Sequence, residues 1–317
     1  MRFSLAAALF LVIATPAVAQ YPSKPVRLVV PFPPGASNDT VARAAGQKLS
    51  EALGQPVVID NRSGAGGSIG AAILARSPAD GYTLMVTSTS YTTNAGVQPN
   101  LPFDPVGDIA PVAMIGRGPM MVVVAPAVPA QSFKEFLALA KAQPGKLNYT
   151  SSGIGSAPHL ATELFMSMTG VDMVHVPYKG LGPAMVDLIA GRVQVLIASL
   201  PSVLPHVKAG KVRGLAVTSA QRSSFAPGLP TVTESGVPGY TSELWWGVFA
   251  PARTPAPVVT RLHAETIKFV AAEDMRKLLA DAGAEPAALS TAEFGGQIRA
   301  EIDKWAKLAK QRGIKAE

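Results

Sequence analysis

Short apolar runs alternate with longer stretches of helical periodicity in the first part of the chain. The short runs are rich in β-branched residues, as strands are, whereas the longer stretches repeat their apolar positions with the period of a helix. This alternation predicts βαβ units around a mostly parallel sheet. The predicted strands lie at 26–30, 56–59 and 82–86, and the predicted helices at 40–53 and 68–76.

A second series of the same kind follows, and the chain then ends in helices. The second series predicts strands at 146–149, 173–176, 193–197 and 212–217, with helices at 132–142, 157–168 and 183–190. The C-terminal part predicts helices at 258–271, 275–282 and 292–311, with interruptions at Gly283 and Pro286. The chain therefore contains two α/β series rather than one.

Two long apolar runs, 120–127 and 245–252, lie before and after the second series, and both close on Ala-Pro-Ala. Such a continuous run predicts a strand that is buried on both faces. Either the two strands cross between two lobes and form a hinge, or they are unrelated interior strands. If they cross, lobe one comprises residues 20–120 with 248–317, and lobe two comprises residues 121–247.

The N-terminus has the pattern of an export signal. Arg2 precedes a short apolar run, and the small residues Ala17-Val18-Ala19 predict cleavage after Ala19, so that residues 1–19 form the signal peptide. The apolar run is too short to span a bilayer, and Pro16 interrupts it. No later uncharged apolar run is long enough to cross a membrane, so we expect the mature protein in the periplasm.

Composition excludes several classes of protein. The chain has no cysteine, which excludes disulfides, thiolate catalysis and cysteine-ligated metals. Its net charge is +7, but only 15% of residues are charged and the basic residues are scattered, whereas nucleic-acid binding needs them clustered. The densest basic group, at 304–312, has the spacing of a solvated helix face. A length of 317 residues favours two lobes over one.

Gly, Ser, Thr and Asn fill the segments that follow the predicted strands, and several of these segments run directly into a helix. In open parallel sheets, ligands bind beyond the carboxyl ends of the strands. A helix start offers unpaired N–H groups and partial positive charge, which bind a carboxylate without a charged side chain. The alternative is that Ser37, Asn38 and Ser156 only cap their own helices. The recurrence of such loops in both series favours carboxylate binding.

The Gly-rich segment 64–70 superficially resembles a dinucleotide-binding turn. It follows the second predicted strand rather than the first, and the next strand ends in Thr87-Ser88 without the acidic residue that holds a ribose. We therefore expect no nucleotide cofactor.

An enzyme is the rival class, and the sequence offers little for it. The spacing His-x-x-x-His and a phosphate-binding loop that ends in Gly-Lys-Ser or Gly-Lys-Thr are both missing. Among the histidines, His159 alone is placed for a cleft, and a structural role suits it equally well. The acidic residues nearest the strand-end loops are Asp39, Glu163 and Glu243, and Asp39 fits the first turn of a helix. The aromatics near these loops fit a core or a pocket wall. They are Phe32, Tyr91, Tyr178, Trp245 and Trp246.

Several motifs, in order along the whole mature chain, resemble those of the Bug-type receptors, which are periplasmic substrate-binding proteins of tripartite tricarboxylate transporters. The N-terminal motifs are Tyr21-Pro22-Ser23-Lys24-Pro25, Val29-Val30-Pro31-Phe32-Pro33-Pro34-Gly35, Asn61-Arg62 with Gly64-Ala65-Gly66-Gly67, and Asp80-Gly81-Tyr82-Thr83-Leu84. The later motifs are Pro144-Gly145-Lys146-Leu147-Asn148-Tyr149, His175-Val176-Pro177-Tyr178-Lys179-Gly180, Pro201-Ser202, Pro205-His206, Ala209-Gly210-Lys211, Leu229-Pro230-Thr231 and Ala250-Pro251.

The resemblance implies an α/β fold, that of a two-lobed periplasmic binding protein (Venus flytrap, type II) with two crossing hinge strands. It also implies that backbone amides and waters hold the carboxylates of the ligand. The ligand-binding residues that it nominates are Phe32, Gly35, Ala36, Ser37, Ser88, Ser90, Tyr91, Ser151, Ser152, Gly155, Ser156, His159, Tyr178 and Ser199.

Three positions depart from the family pattern. Ala36 stands where the second glycine of the first loop is usual, so the approach to the main chain is tighter there. Amino-acid-binding members often carry an Asp where this chain has Ala198 or Ser199, which argues against an amino-acid ligand. Tyr91 lies in a third loop without a histidine, which leaves the size and polarity of the pocket open.

The sequence therefore predicts a monomeric protein without cofactor, metal or catalytic residues that captures a small organic mono- or dicarboxylate, aliphatic or aromatic, by lobe closure. The expected partners are the permease subunits of a tripartite tricarboxylate transporter. Two alternatives stay open: a periplasmic sensor that presents the ligand to a signalling kinase, and a hydrolase.

Overall fold

The computed structural model describes residues 21–35, 37–98 and 100–314. The predicted export signal and Ala36 lie outside these residues. Within the described ranges, no helix is both long enough and apolar enough to span a bilayer.

Strands and helices alternate through most of the described chain. The first series consists of β1 (Val26–Val30), α1 (Ser37–Leu53), β2 (Val57–Asn61), α2 (Ser68–Ala75), β3 (Thr83–Ser88) and α3 (Ser90–Val97). A long strand, β4 (Ile109–Val124), leads into α4 (Phe133–Ala142), β5 (Asn148–Ser151), α5 (Ala157–Thr169), β6 (Val174–Pro177), α6 (Leu181–Ile189), β7 (Val195–Ser199), α7 (Leu200–Lys208) and β8 (Arg213–Val217). The chain returns through β9 (Glu243–Pro251) and ends with α8 (Ala256–Val270), α9 (Glu273–Asp281), β10 (Glu285–Pro286) and α10 (Thr291–Arg312).

The strand β4 belongs to two groups of strands. Its first part pairs antiparallel with β9, as far as the partners Pro119 and Glu243. From Met120 onward it pairs with β7 on one side and, from Met121, with β8 on the other. The strand order is therefore β2-β1-β3-β9-β4 in one half of the sheet and β8-β4-β7-β5-β6 in the other. The two apolar runs that the sequence singled out are thus neighbours in the sheet rather than unrelated strands.

Separate hydrophobic cores lie on the two halves. One core is built from residues between Met120 and Tyr240, and its large buried side chains include Phe133, Phe136 and Phe165. The other half is packed by residues from the first series together with those of β9 and the C-terminal helices. Trp245 and Trp246 are each 1% exposed, so these two aromatics belong to the core.

Two helices of the structure are not predicted by the sequence pattern. Residues 90–97, expected as part of a loop, form α3, and residues 200–208, for which the pattern predicts no element, form α7. Residues 90–97 lack strong helical periodicity, because α3 is buried over most of its length, from Tyr91 to Asn94 and at Val97. Tertiary packing rather than an amphipathic pattern therefore stabilises α3.

Candidate functional site

Loops at the carboxyl ends of the strands bring the two halves together. In the first half these loops follow β1, β2 and β3, and in the second half they follow β5, β6 and β7. Parallel pairing of β1 with β2 and β3, and of β5 with β6 and β7, places the loops of each half at one edge of its sheet. This edge is where open α/β sheets bind their ligands.

The first loop is fixed by Asp39, which is 3% exposed. Its carboxylate accepts hydrogen bonds from Gly35 N (2.9 Å), Arg43 Nε (2.9 Å) and Asn61 Nδ2 (2.9 Å). Burial opposes ionisation of this carboxyl, but the hydrogen bonds outweigh it and hold the pKa of Asp39 below its ordinary value. Asp39 thus ties the first loop to the end of β2, which is more than the helix-start role that the sequence predicts for it.

Phe32 and the Gly-rich loop form one wall of the first half. A Cβ atom on Gly67 would lie 3.5 Å from Phe32 Cζ, so the half-buried ring lies against this loop. The backbone is left-handed at Gly66 (φ 64°) and also at Ala65 (φ 46°), a conformation that costs energy for a residue with a side chain. Gly35 and Ser37, on the neighbouring loop, are exposed.

Asn94 of α3 lies where the loops of the two halves approach each other. Its Nδ2 atom donates to Ala65 O (3.4 Å), and a Cβ atom on Gly66 would come within 2.0 Å of Nδ2. A Cβ atom on Gly155, in the second half, would lie 3.7 Å from the same Nδ2. The sequence shows Asn94 only as the end of a polar loop, so its role in joining the two halves was not predicted.

The loop after β5 is held by hydrogen bonds of its own. Ser156 Oγ donates to Gly153 O (2.6 Å) and caps α5 by accepting from His159 N (3.4 Å). Gly155 N donates to His159 Nδ1 (3.1 Å), so this amide already has an acceptor within the protein. Ser151 Oγ contacts both Gly153 and His175 Nε2, the latter at 2.7 Å.

Three stacked rings, those of His159, His175 and Tyr149, pack beside this loop. The centroid of His159 lies 4.1 Å from that of His175, which lies 4.7 Å from that of Tyr149. Burial lowers the pKa of His159 to about 4. Burial, together with the neighbouring His159, also lowers the pKa of His175 to about 4. Both rings are therefore neutral near pH 7 and add no charge to the loop.

His175 is a second residue that the sequence did not assign to the site. The pairing of β5 with β6 puts Tyr149 directly opposite His175 and so brings the His175 ring to the stack. No local pattern reports this register, because it depends on which strands are neighbours.

The remaining predicted residues divide into two groups. Ser90 and Ser152 are half-buried at the strand ends, while Ser88 is 1% exposed at the end of β3. Tyr91, Tyr178 and Ser199 are engaged elsewhere in the protein. Tyr91 OH donates to Pro105 O (2.6 Å) and its ring packs on Phe249, whereas Tyr178 OH donates to Asp187. Ser199 Oγ is hydrogen-bonded to Ser202 Oγ at 2.7 Å.

Four helices that begin near these loops start without a side-chain cap. The residues that precede α2, α3, α6 and α7 are Gly67, Thr89, Gly180 and Ser199, and none makes a side-chain hydrogen bond to its helix start. The N–H groups of a first helical turn have no intrahelical acceptor, so these helix starts can offer N–H groups to an anion, although Ser68 N of α2 already donates to Ala65 O of the preceding turn. Two of these helices belong to each half of the sheet.

No group of three or more histidine, aspartate or glutamate residues is arranged to hold a metal ion anywhere in the described chain. Among the described residues, Ser151 is the one serine whose hydroxyl is hydrogen-bonded to a histidine ring, that of His175, and Ser151 is fully buried. The arrangement suits binding by main-chain dipoles and hydroxyl groups.

These features define a two-lobed α/β solute-binding protein, and comparison with known proteins agrees. Residues 41–314 match the model of the tripartite tricarboxylate transporter family receptor, TctC. The chain belongs to this family of periplasmic solute-binding receptors. It is 38% identical to protein BugT of Bordetella pertussis over 96% of this chain and 94% of BugT, so the predicted resemblance to Bug-type receptors is confirmed.

Solved structures confirm the fold. R. palustris Rpa4515 with adipate is 41% identical, with a TM-score of 0.84 over 93% of this chain and 99% of that one. The periplasmic binding protein BugD is 31% identical, with a TM-score of 0.81 over 94% of this chain and 100% of that one. The family and the fold are those of binding proteins rather than enzymes.

Proposed function

We propose that the protein captures a small organic mono- or dicarboxylate, aliphatic or aromatic, in the cleft between two closing lobes. The lobes are residues 20–120 with 248–317, and residues 121–247. The pairing of all of β9 with β3 and β4 supports a second crossing slightly earlier, near Ser242. The captured acid is then delivered to the permease subunits of a tripartite tricarboxylate transporter in the inner membrane.

The observation that carries this proposal is the set of uncapped helix starts, with α2 and α3 in one lobe and α6 and α7 in the other. Each helix start contributes partial positive charge and free N–H groups to a carboxylate, typically worth about 0.3–1 kcal/mol at an exposed site. Because these groups come from both lobes, a ligand that touches all of them binds the closed arrangement better than the open one.

The electrostatics of the loops suit an anion that is held without a formal countercharge. His159 and His175 are neutral. The Asp39 carboxylate already accepts hydrogen bonds from Gly35, Arg43 and Asn61. Neither Ala198 nor Ser199 supplies a carboxylate for an ammonium group, so an amino acid would lack a partner there. The adipate in Rpa4515, a dicarboxylate in a relative of similar fold, supports the same ligand class.

Titration calorimetry tests the ligand class with probes of matched shape. We expect adipate, succinate or benzoate to bind. Adipamide and 1,6-diaminohexane keep the length of adipate but lack its negative charges, and they should bind at least about a hundredfold more weakly. Binding of the diamide or the diamine as tight as that of adipate, or binding of no acid in a broad panel, would refute the proposal.

The serine caps of α5 and α4 provide a matched pair of variants for the location of the site. Ser156→Ala and Ser132→Ala each remove one N-cap hydrogen bond and should each cost about 1 kcal/mol of stability. Only Ser156 lies in a strand-end loop, so Ser156→Ala alone should raise the Kd for the bound acid, by about tenfold. Equal affinities in the two variants would place the ligand elsewhere.

Uptake measurements test the transport role. Deletion of the gene should abolish accumulation of the radiolabelled acid, and expression of the wild-type protein should restore it. If uptake persists while a transcriptional response to the acid is lost, the protein serves a sensor instead.

A further inference from the structure

A second cavity, of about 490 Å³, lies where the two crossing strands meet α10. Its wall includes Arg117 of β4, Glu243 of β9, Lys304 of α10 and the loop 219–223 that follows β8. None of the predicted ligand-binding residues that the structure describes lines it. Its volume is in the range of small-molecule sites, so it can hold a ligand of its own.

Lys304 presents an ammonium group with few acceptors to this cavity. Its Nζ atom donates to Thr241 O (3.1 Å) and lies 4.5 Å from the centre of the Trp305 ring. An ammonium group has three N–H donors, so one carbonyl acceptor leaves it with unused capacity. Burial lowers the pKa of Lys304, although the nearby Glu301 carboxylate acts in the opposite direction. An anion beside Nζ would relieve the cost of burying this cation.

Arg117 and Glu285, which are exposed to solvent, and Glu243, which is half-buried, add charges that have no protein partner in the part of the chain that the structure describes. The Cα atoms of Arg117 and Glu285 stand opposite each other across β4 and β10, yet their side chains form no ion pair within 4.0 Å. By contrast, Arg222 is paired with Glu234, and Glu301 accepts hydrogen bonds from Thr92 and Trp245.

We propose that this cavity binds a small zwitterion, with its carboxylate toward Lys304 and Arg117 and its ammonium group toward Glu243 and Glu285. A simple carboxylate would satisfy the cations but face the two unpaired glutamates, and a simple amine would face the two cations. A molecule that carries both charges satisfies both sets of groups. Thr89, the residue before α3, also borders this cavity, but the other helix-start residues of the proposed carboxylate cleft do not, and the site does not depend on that cleft.

Because the walls of the cavity come from both lobes, a ligand bound there can influence lobe closure. Loop 219–223 belongs to the second lobe, α10 packs on the first, and Arg117 and Glu243 lie on the crossing strands. A ligand that fits one separation of these walls stabilises that separation. Zwitterion and acid should therefore change each other's affinity by the same factor.

Calorimetry on the purified protein tests the site with glycine and L-glutamine as zwitterions, and with acetate and methylamine as their single-charge counterparts. We expect at least one zwitterion to bind with a Kd below about 1 mM and both counterparts to bind at least about tenfold more weakly. Lys304→Met should raise the Kd of the zwitterion by about tenfold or more. Lys307→Met, which removes an exposed lysine from the same helix, should leave it unchanged.

The measurement is repeated in the presence of saturating adipate to separate the two sites. Retained zwitterion binding, at the same or a shifted affinity, supports a separate cavity site. Full competition with adipate, acetate binding as tight as zwitterion binding, failure of both zwitterions to bind, or an unchanged Kd in Lys304→Met would each overturn the proposal. All of these outcomes except competition are independent of whether the cleft binds adipate.

Discussion

Arg312 Nε lies 2.7 Å from Glu163 Oε2, which joins the end of α10 to the middle of α5. The Glu163 side chain is 9% exposed, and its other oxygen accepts a hydrogen bond from Tyr149 OH at 2.6 Å. Tyr149 is part of the ring stack beside the loop that carries Ser156. The C-terminal helix is therefore coupled, through one carboxylate, to the supports of the candidate site.

Replacement of Arg312 should expose the dependence of α5 on α10. Arg312→Met leaves the Glu163 carboxylate buried without its cation, a loss that we expect to cost about 1–3 kcal/mol because the arginine is one-third exposed. Arg299→Met, at an exposed position of the same helix, should change stability by less than about 0.5 kcal/mol. Urea unfolding measures both, and equal midpoints would show that the ion pair contributes nothing.

The buried histidines predict a loss of stability in mild acid. The pKa values of His159 and His175 are about 4 in the folded protein, below the ordinary value of 6.5. The unfolded chain therefore binds protons between these pH values while the folded protein does not, so stability falls as pH decreases. Between pH 6.5 and 5 we expect a loss of about 1.5 kcal/mol from His159 and a smaller loss from His175, which is only half-buried.

Urea unfolding at several pH values in this window checks the prediction. The window lies above the range in which most carboxylates titrate, so the histidines dominate it. The slope should be smaller in His159→Gln than in the wild type. A stability that is constant from pH 6.5 to 5 would contradict neutral buried rings.

Alanine variants of Gly66 and Gly54 distinguish the cost of backbone strain from the cost of a steric clash. Both have left-handed backbones, with φ of 64° and 68°, but a Cβ atom would come within 2.0 Å of Asn94 Nδ2 at Gly66 and would contact nothing within 4 Å at Gly54. Gly54→Ala should cost about 1 kcal/mol of stability, as expected for a left-handed residue. Gly66→Ala should cost at least about 1 kcal/mol more and should also weaken acid binding, because Asn94 must move.

Thermal unfolding and calorimetry of the two glycine variants provide the measurement. If Gly66→Ala binds the acid with wild-type affinity, Asn94 does not organise the two loops.

Asp39 should control the order of the first loop. In Asp39→Asn the carboxylate that accepts from Gly35 N, Arg43 and Asn61 is replaced by an amide, which we expect to cost about 1–3 kcal/mol. Asp172→Asn, which makes the same change at an exposed residue, should be nearly neutral. Hydrogen exchange at Gly35 N reports the local effect, and unchanged protection in Asp39→Asn would exclude this role.

The sequence predicts the elements of this fold because most of them have a clear period. The strands 26–30 and 212–217 and the helix 157–168 agree with β1, β8 and α5 to within one residue at each end. Helix α3 was missed because its polar side chains are buried against neighbouring elements, which no local pattern shows.

The site was predictable as a set of loops but not as a set of contacts. Glycine and hydroxyl residues after strands indicate where a ligand binds, and Phe32 and Ser156 lie on such loops. The roles of His175 and Asn94 depend on strand order and on the approach of distant segments, so they follow only from the three-dimensional structure. For the same reason Tyr91, which lies near the loops in sequence, turns into the core.

The position of β9 between β3 and β4 gives the chain an order of assembly. The core between Met120 and Tyr240 is contiguous in sequence, so all of its residues are available before the chain reaches β9. The other core lacks a central strand until residue 251 is also available. We therefore expect the contiguous core to fold first. Strand β9 then pairs with β4 and completes the other core.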